Sequence, residues 1–180
     1  MSITEQDILE YKSYNTCKFD NQTDIYKDSA FKLYKDMSSK KKGAEFEKLV
    51  EEYAIKDGRK VEPPKSTDHD RWIQGFGKTE IKASLLWGTG TNYRWQQLRP
   101  YQDIDTYVFV AVSPVSIKFY TAPAAVVKAV VETQNDKGLW IHNQHGGKKV
   151  NSGTFFLDGF PEDYKWMEEW NYKIKTVLTT

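Results

Sequence analysis

Apolar positions along this chain change period several times, and each change marks an element. From Ala44 they fall at Phe46, Leu49, Val50, Tyr53 and Ala54. That spacing draws one face of an α-helix, and Asp57 and Gly58 supply its stop. A short strand is predicted around Lys60 to Glu62, ended by Pro63 and Pro64. The runs Arg71 to Ile73 and Ile81 to Leu86 have strand composition. Gln74, Gly75, Phe76 and Gly77 lie between them as turn residues, so the pair reads as a hairpin. Trp87 to Asn92 reads as a flexible loop and Tyr93 to Leu98 as a short helix. Thr106 to Val112 is a buried strand of β-branched and aromatic type, and Ser113 and Pro114 turn the chain into another, Val115 to Tyr120. Pro123 is placed to open a helix through Val131. A second hairpin, Leu139 to His142 with Val150 to Leu157, is expected next. The last expected element is a helix from Pro161 with Met167, Trp170, Ile174, Val177 and Leu178 on one stripe.

This order predicts an α/β fold with a mixed central β-sheet flanked by helices. At 180 residues the chain reads as a single domain: an N-terminal embellishment over 1–39, a core over 40–133 and a C-terminal extension over 134–180 packed on it. Six Trp and eleven Tyr exceed what a small core requires, so some rings are expected at the surface, able to stack on a base or a partner. No run approaches the roughly 20 apolar residues of a membrane span, and no signal-peptide pattern opens the chain. Cys17 is alone, which excludes a disulfide framework or thiolate cluster and suggests reducing cytoplasm. A net charge of +1 does not announce a nucleic-acid binder, but basic residues at Lys40 to Lys42, Arg59, Lys60, Arg94, Arg99, Lys148 and Lys149 flank the core elements. Around an acidic centre, such a distribution is compatible with phosphate tracking.

The candidate chemistry lies on the first hairpin. Side chains alternate along a strand at about 3.3 Å per residue, so Glu80 and Lys82 share a face roughly 7 Å apart. Pairing brings Asp70 close to opposite one of them. Two carboxylates and an ammonium at one sheet end can hold a divalent cation and hydrolyse a phosphodiester. The acid–x–lysine pattern itself recurs at Glu10 and Lys12 and at Asp163 and Lys165, so its weight comes from the strand context and the upstream aspartate. Asp68 shares a face with Asp70 in an extended chain and is the rival ligand. His69 faces away or meets substrate. His142 and His145 lack the further ligand and the helix of a metal-finger nuclease, and Gly88 and Gly90 lack the lysine of a phosphate cradle.

Asp70 followed by Glu80, Ile81 and Lys82 resembles the motif of the PD-(D/E)xK nuclease superfamily, with His69 where the family has its proline. Gly43 and Glu47 resemble the glycine-x-x-x-glutamate of its first core helix, and Gln97 and Tyr101 a glutamine-x-x-x-tyrosine of one branch. The resemblance covers about residues 40–133. It implies a restriction-endonuclease-like core and a metal-dependent endonuclease of double-stranded DNA, site-specific in the restriction or homing manner. The alternatives are a structure-specific nuclease such as a junction resolvase, or a DNA-binding protein that retains the fold without catalysis. In the nuclease reading Asp70, Glu80 and the Ile81 carbonyl bind Mg²⁺, with Mn²⁺ expected to substitute. Lys82 positions water or the scissile phosphate, Glu47 orients a hydrated metal, and Gln97 serves the phosphate or Lys82. Trp87, Tyr93, Arg94 and Lys148 are expected to contact DNA, and a homodimer is expected.

Overall fold

The computed structural model describes residues 24–87, 92–133, 141–143 and 153–171, with 141–143 described as backbone only. The chain opens with a short helix, α1 (Lys32–Asp36), and a long one, α2 (Ser39–Lys56). Helix α2 starts at Ser38, whose hydroxyl accepts from the Lys41 N–H. It ends where Gly58 turns left-handed at φ +79°. Its buried residues, Phe46, Val50 and Ala54, are spaced by four and form one stripe.

Strands β1 (Val61–Glu62), β2 (Arg71–Ile73) and β3 (Gly77–Leu85) follow as an antiparallel series. The β2–β3 hairpin forms as expected, with Arg71 opposite Thr79 and Ile73 opposite Gly77. β3 begins four residues earlier than its composition suggests. Gly77 belongs to the strand at φ +74°, a conformation open to glycine at little cost.

From β3 the chain crosses to β4 (Tyr93–Leu98) and returns as β5 (Thr106–Val112), parallel to β3, with Glu80 beside Tyr107 and Lys82 beside Phe109. β6 (Ile117–Pro123) pairs antiparallel with β5 and runs directly into α3 (Ala124–Thr133). Pro123 therefore ends a strand rather than opening a helix. β7 (Ile141–Asn143) and β8 (Phe155–Gly159) pair as the expected second hairpin. A 3₁₀ turn (Pro161–Asp163) and β9 (Glu168–Glu169) complete the described chain.

Two predicted helices are corrected. Residues 93–98 are the strand β4, because Tyr93 and Trp95 alternate inward with period two and β8 supplies the pairing. A register shift then sends Leu98 inward, with Gln97 at φ +60°. After Pro161 the chain makes one 3₁₀ turn and adds β9 to β6. Met167 and Trp170 consequently enter different apolar clusters instead of one helical stripe. Ile174, Val177 and Leu178 lie outside the described residues.

The described strands form a six-stranded sheet in the order β1-β2-β3-β5-β6-β9 and a three-stranded sheet β4-β8-β7. The protein is thus mixed α/β. Strand β5 is central and buried on both faces. Its Val108, Val110 and Val112 meet Phe46, Val50, Ala54, Ile73 and Ile81, with α2 covering that side. Its Tyr107, Phe109 and Ala111 meet Trp95, Leu98 and Leu157 of the smaller sheet and Val127 and Val131 of α3. The high aromatic content is largely spent here, though Trp87 and Tyr101 remain exposed. The N-terminal segment is fastened to the sheet end by Tyr26, whose hydroxyl donates to the Val112 carbonyl (2.6 Å) and accepts from the Leu86 N–H (2.9 Å).

Candidate functional site

Where β2 gives out, the ladder is continued by a side chain. The Asp70 N–H donates to the Thr79 carbonyl (3.0 Å), which keeps the main chain beside β3 for one more residue. The Asp70 carboxylate then accepts from the Ile81 N–H (2.7 Å). In an antiparallel ladder a residue's N–H and C=O face the same neighbour, so the Ile81 carbonyl points to the Asp70 side of β3 as well. The β2–β3 pairing ends at Arg71 opposite Thr79, and Asp70 bonds to that same Thr79, so its carboxylate is left to take the next N–H along β3.

Glu80, Lys82 and Ser84 alternate along β3 and share one of its faces. The Lys82 ammonium contacts the Glu80 carboxylate at 2.6 Å, and the two side chains are only 16% and 10% exposed. Burial pushes the Glu80 carboxyl up to about 7, the neighbouring negative charge of Asp70 adds to the rise, and Lys82 opposes it. Ser84 accepts from the Arg94 N–H (2.7 Å), tying β4 across the same face.

Helix α2 brings Glu47 to the edge of this group. Its carboxyl is also raised, by partial burial first and by Asp70 second. Arg71 joins helix to hairpin: its guanidinium reaches Glu47 (3.3 Å), Glu51 (3.0 Å) and the Asp70 carbonyl (2.6 Å). From sequence alone Arg71 is only a strand residue. The available signal is the pair Glu47 and Glu51, one helical turn apart and facing a cation next to the candidate aspartate.

Glu47, Asp70, Ile81, Lys82 and Gln97 line one cavity of about 660 Å³, bounded by the 24–43 segment, β3 and β4. Glu80 does not line it but contacts Lys82, which does. Gln97 comes to the cavity from a strand instead of the expected helix. Asp70, not Asp68, is the aspartate beside Glu80. Asp68 sits in the turn before it, its N–H on the Ser66 hydroxyl, and its charge acts on Lys78. His69 is buried with Nδ1 3.2 Å from Ser66 Oγ, which leaves no face for substrate.

The four residues expected to touch DNA separate. Trp87 lines the cavity and is 52% exposed. Arg94 lines it too, paired with Asp158 and lying over the Phe156 ring. Tyr93 is corrected: its ring is buried and stacked on Trp95, because β4 turns it into the core. Lys148 lies outside the described residues, as does His145.

Among the described residues no set of three His, Cys, Asp or Glu side chains is gathered tightly enough to hold a metal by itself. The donor set that does converge is two carboxylates and a carbonyl, all hard oxygen donors. This suits Mg²⁺, which is commonly held by one or two carboxylates and keeps several waters or substrate oxygens. Two carboxylates in a poorly hydrated place repel each other, and a cation there would relieve both the repulsion and the cost of burial.

The chain matches no protein-family model, and no curated protein matches it significantly. Among the described residues no helix is long and apolar enough to cross a membrane.

Proposed function

We propose that this protein is a metal-dependent endonuclease of the PD-(D/E)xK type that hydrolyses phosphodiester bonds of DNA. The observation that carries the reading is the Asp70 carboxylate bonded to the Ile81 N–H beside the buried Glu80–Lys82 pair, at the wall of a cavity. The motif resemblance supports it, as does the mixed sheet with the motif on its antiparallel hairpin and α2 across one face.

In this reading Asp70, Glu80 and the Ile81 carbonyl hold Mg²⁺, or Mn²⁺ in its place. The ion, when bound, supplies an acidified water and takes up negative charge developing on the phosphate. Lys82 then has its own part. Its ammonium, at the cavity wall against Glu80, would position the attacking water or the phosphate by a charge-assisted hydrogen bond. Glu47, held by Arg71 at the edge, accepts hydrogen bonds from waters around the site. Gln97 lies on the β4 side of the cavity, where an amide can orient Lys82 or a phosphate oxygen.

Two cleavage classes fit this chemistry: restriction- or homing-like cutting, with a homodimer reading a symmetric site, and structure-specific cutting. A cytoplasmic setting fits the lone Cys17. The rival reading keeps the architecture for DNA binding alone, and the lack of a third converging side-chain ligand among the described residues is what favours it.

Digestion of long duplex DNA with Mg²⁺ separates the two. Cutting is expected from the wild type and is expected to fall at least 100-fold in Asp70→Ala and Lys82→Ala. Ca²⁺ is expected to support binding with little cutting. Cutting that survives both substitutions, or metal-independent binding with no cutting of duplex or branched DNA, would sink the nuclease assignment.

A further inference from the structure

We propose that the DNA strand to be cut enters the cavity unpaired, with a base stacked on Trp87 and a phosphate on Lys42. This rests on the nuclease reading and narrows its substrate to DNA that is single-stranded, or locally opened, at the point of attack.

The first observation is the size and lining of the site. The cavity measures about 660 Å³, within the roughly 300–1,000 Å³ of pockets that enclose one small molecule. Asp24 to Gly43 wall it on one side and β4 on the other, and Lys82 at its wall is only 16% exposed. A duplex would have to bring a second strand across a groove about 12 or 6 Å wide. One strand, free to bend, can thread between the walls.

The second observation is Trp87. It is a large apolar side chain, half exposed, at the rim of a cavity whose other aromatic neighbours are buried. Its backbone is fixed by an N–H bond to the Asn92 carbonyl (3.0 Å), and the Arg94 guanidinium lies 5.8 Å from its ring. Aromatic platforms of this kind stack on bases whose faces are open, which paired and stacked duplex bases do not offer.

The third is a contrast among the cations lining the cavity. Lys35 is paired with Asp24, Lys82 with Glu80 and Arg94 with Asp158. Lys42 has no ion-pair partner among the described residues, although it is half-buried and burial lowers its pKa. A partly desolvated cation facing a cavity calls for an anion from outside the chain. A strand with one phosphate at Lys82 and another at Lys42 supplies it, and the intervening part of the cavity is where a nucleotide would lie.

Fluorescence anisotropy tests this with Ca²⁺ in place of Mg²⁺ and three labelled probes of one sequence: single-stranded, blunt duplex, and duplex with an unpaired flap. The expected result is that the single strand and the flap bind at least 10-fold more tightly than the duplex. Trp87→Ala is expected to weaken single-strand binding about 5- to 100-fold. Lys42→Ala is expected to reduce the slope of log K against log salt by about 0.7. Tighter binding of the blunt duplex, or single-strand binding untouched by both substitutions, would overturn the proposal. A preference for single-stranded RNA of the same sequence would overturn its assignment to DNA. Cleavage is read separately: loss of cutting in Asp70→Ala together with a duplex preference removes only this inference. A single-strand preference with no cutting removes the nuclease reading beneath it.

Discussion

Buried against an ammonium that lines the cavity, Glu80 is the most informative single residue. Its folded value near 7 stands above the ordinary 4.5, so between those values the folded protein holds a proton that the unfolded chain has released. Stability in the absence of divalent ions should therefore be highest below about pH 4.5 as far as this residue is concerned. It should be lost as pH rises toward 7 and level off above. Glu47, also raised, acts with the same sign. Thermal melts in chelator at pH 5 and pH 8 check this: Glu80→Gln should flatten the difference between the two. A wild type whose melting point rises from pH 5 to 8, by an amount Glu80→Gln leaves unchanged, would contradict it. Lys82 bounds the effect, because its contact with Glu80 is the largest influence favouring the charged form.

At the scale of elements, the site depends on the β2–β3 turn. A Cβ added at Gly77 would collide with the Asp105 carboxylate, and that carboxylate is needed to accept the Lys78 N–H (2.8 Å). The left-handed φ adds its own cost of about 1–2 kcal/mol for any other residue. Gly77→Ala should accordingly lower unfolding free energy in urea by roughly 2 kcal/mol or more, and should impair cleavage more than its stability loss accounts for. Equal stability of variant and wild type would show that the turn is not holding the register. This hairpin was legible beforehand because turn glycines and an apolar run carry local information. So was α2, where the spacing from Phe46 to Ala54 needs no partner to be seen. β4 was not, because six residues with apolar positions at 93, 95 and 98 satisfy either period, and the partner that decides, β8, lies some sixty residues on. The candidate site was legible as Asp70, Glu80 and Lys82. Lys42 was legible only as one of three basic residues flanking the core, not as the one at the cavity wall, and the role of Arg71 between Glu47 and Glu51 was not legible. Nothing in the local sequence fixes which cations face which cavity.

In the whole molecule, two layers depend on strands that come late in the chain. β8 completes the smaller sheet against β4, and β9 carries Trp170 in against Tyr53, Phe76 and Phe119. The β2–β3 hairpin, by contrast, closes over a few residues, whereas the parallel β3–β5 pair must wait for an intervening excursion through a second sheet. Distant pairings pay loop-closure entropy before they are rewarded, so local hairpins tend to form first. Stopped-flow refolding should then sort substitutions by position. Gly77→Ala should slow folding, and Leu157→Ala, in the late-joining β8, should mainly speed unfolding. The reverse pattern would place the crossover, not the hairpin, at the barrier. If the hairpin leads, Asp70 and Glu80 are brought face to face while the chain is still open to water and ions. The cavity then closes around an acidic pair already assembled, and a cation present during folding could be enclosed with it instead of having to enter afterwards.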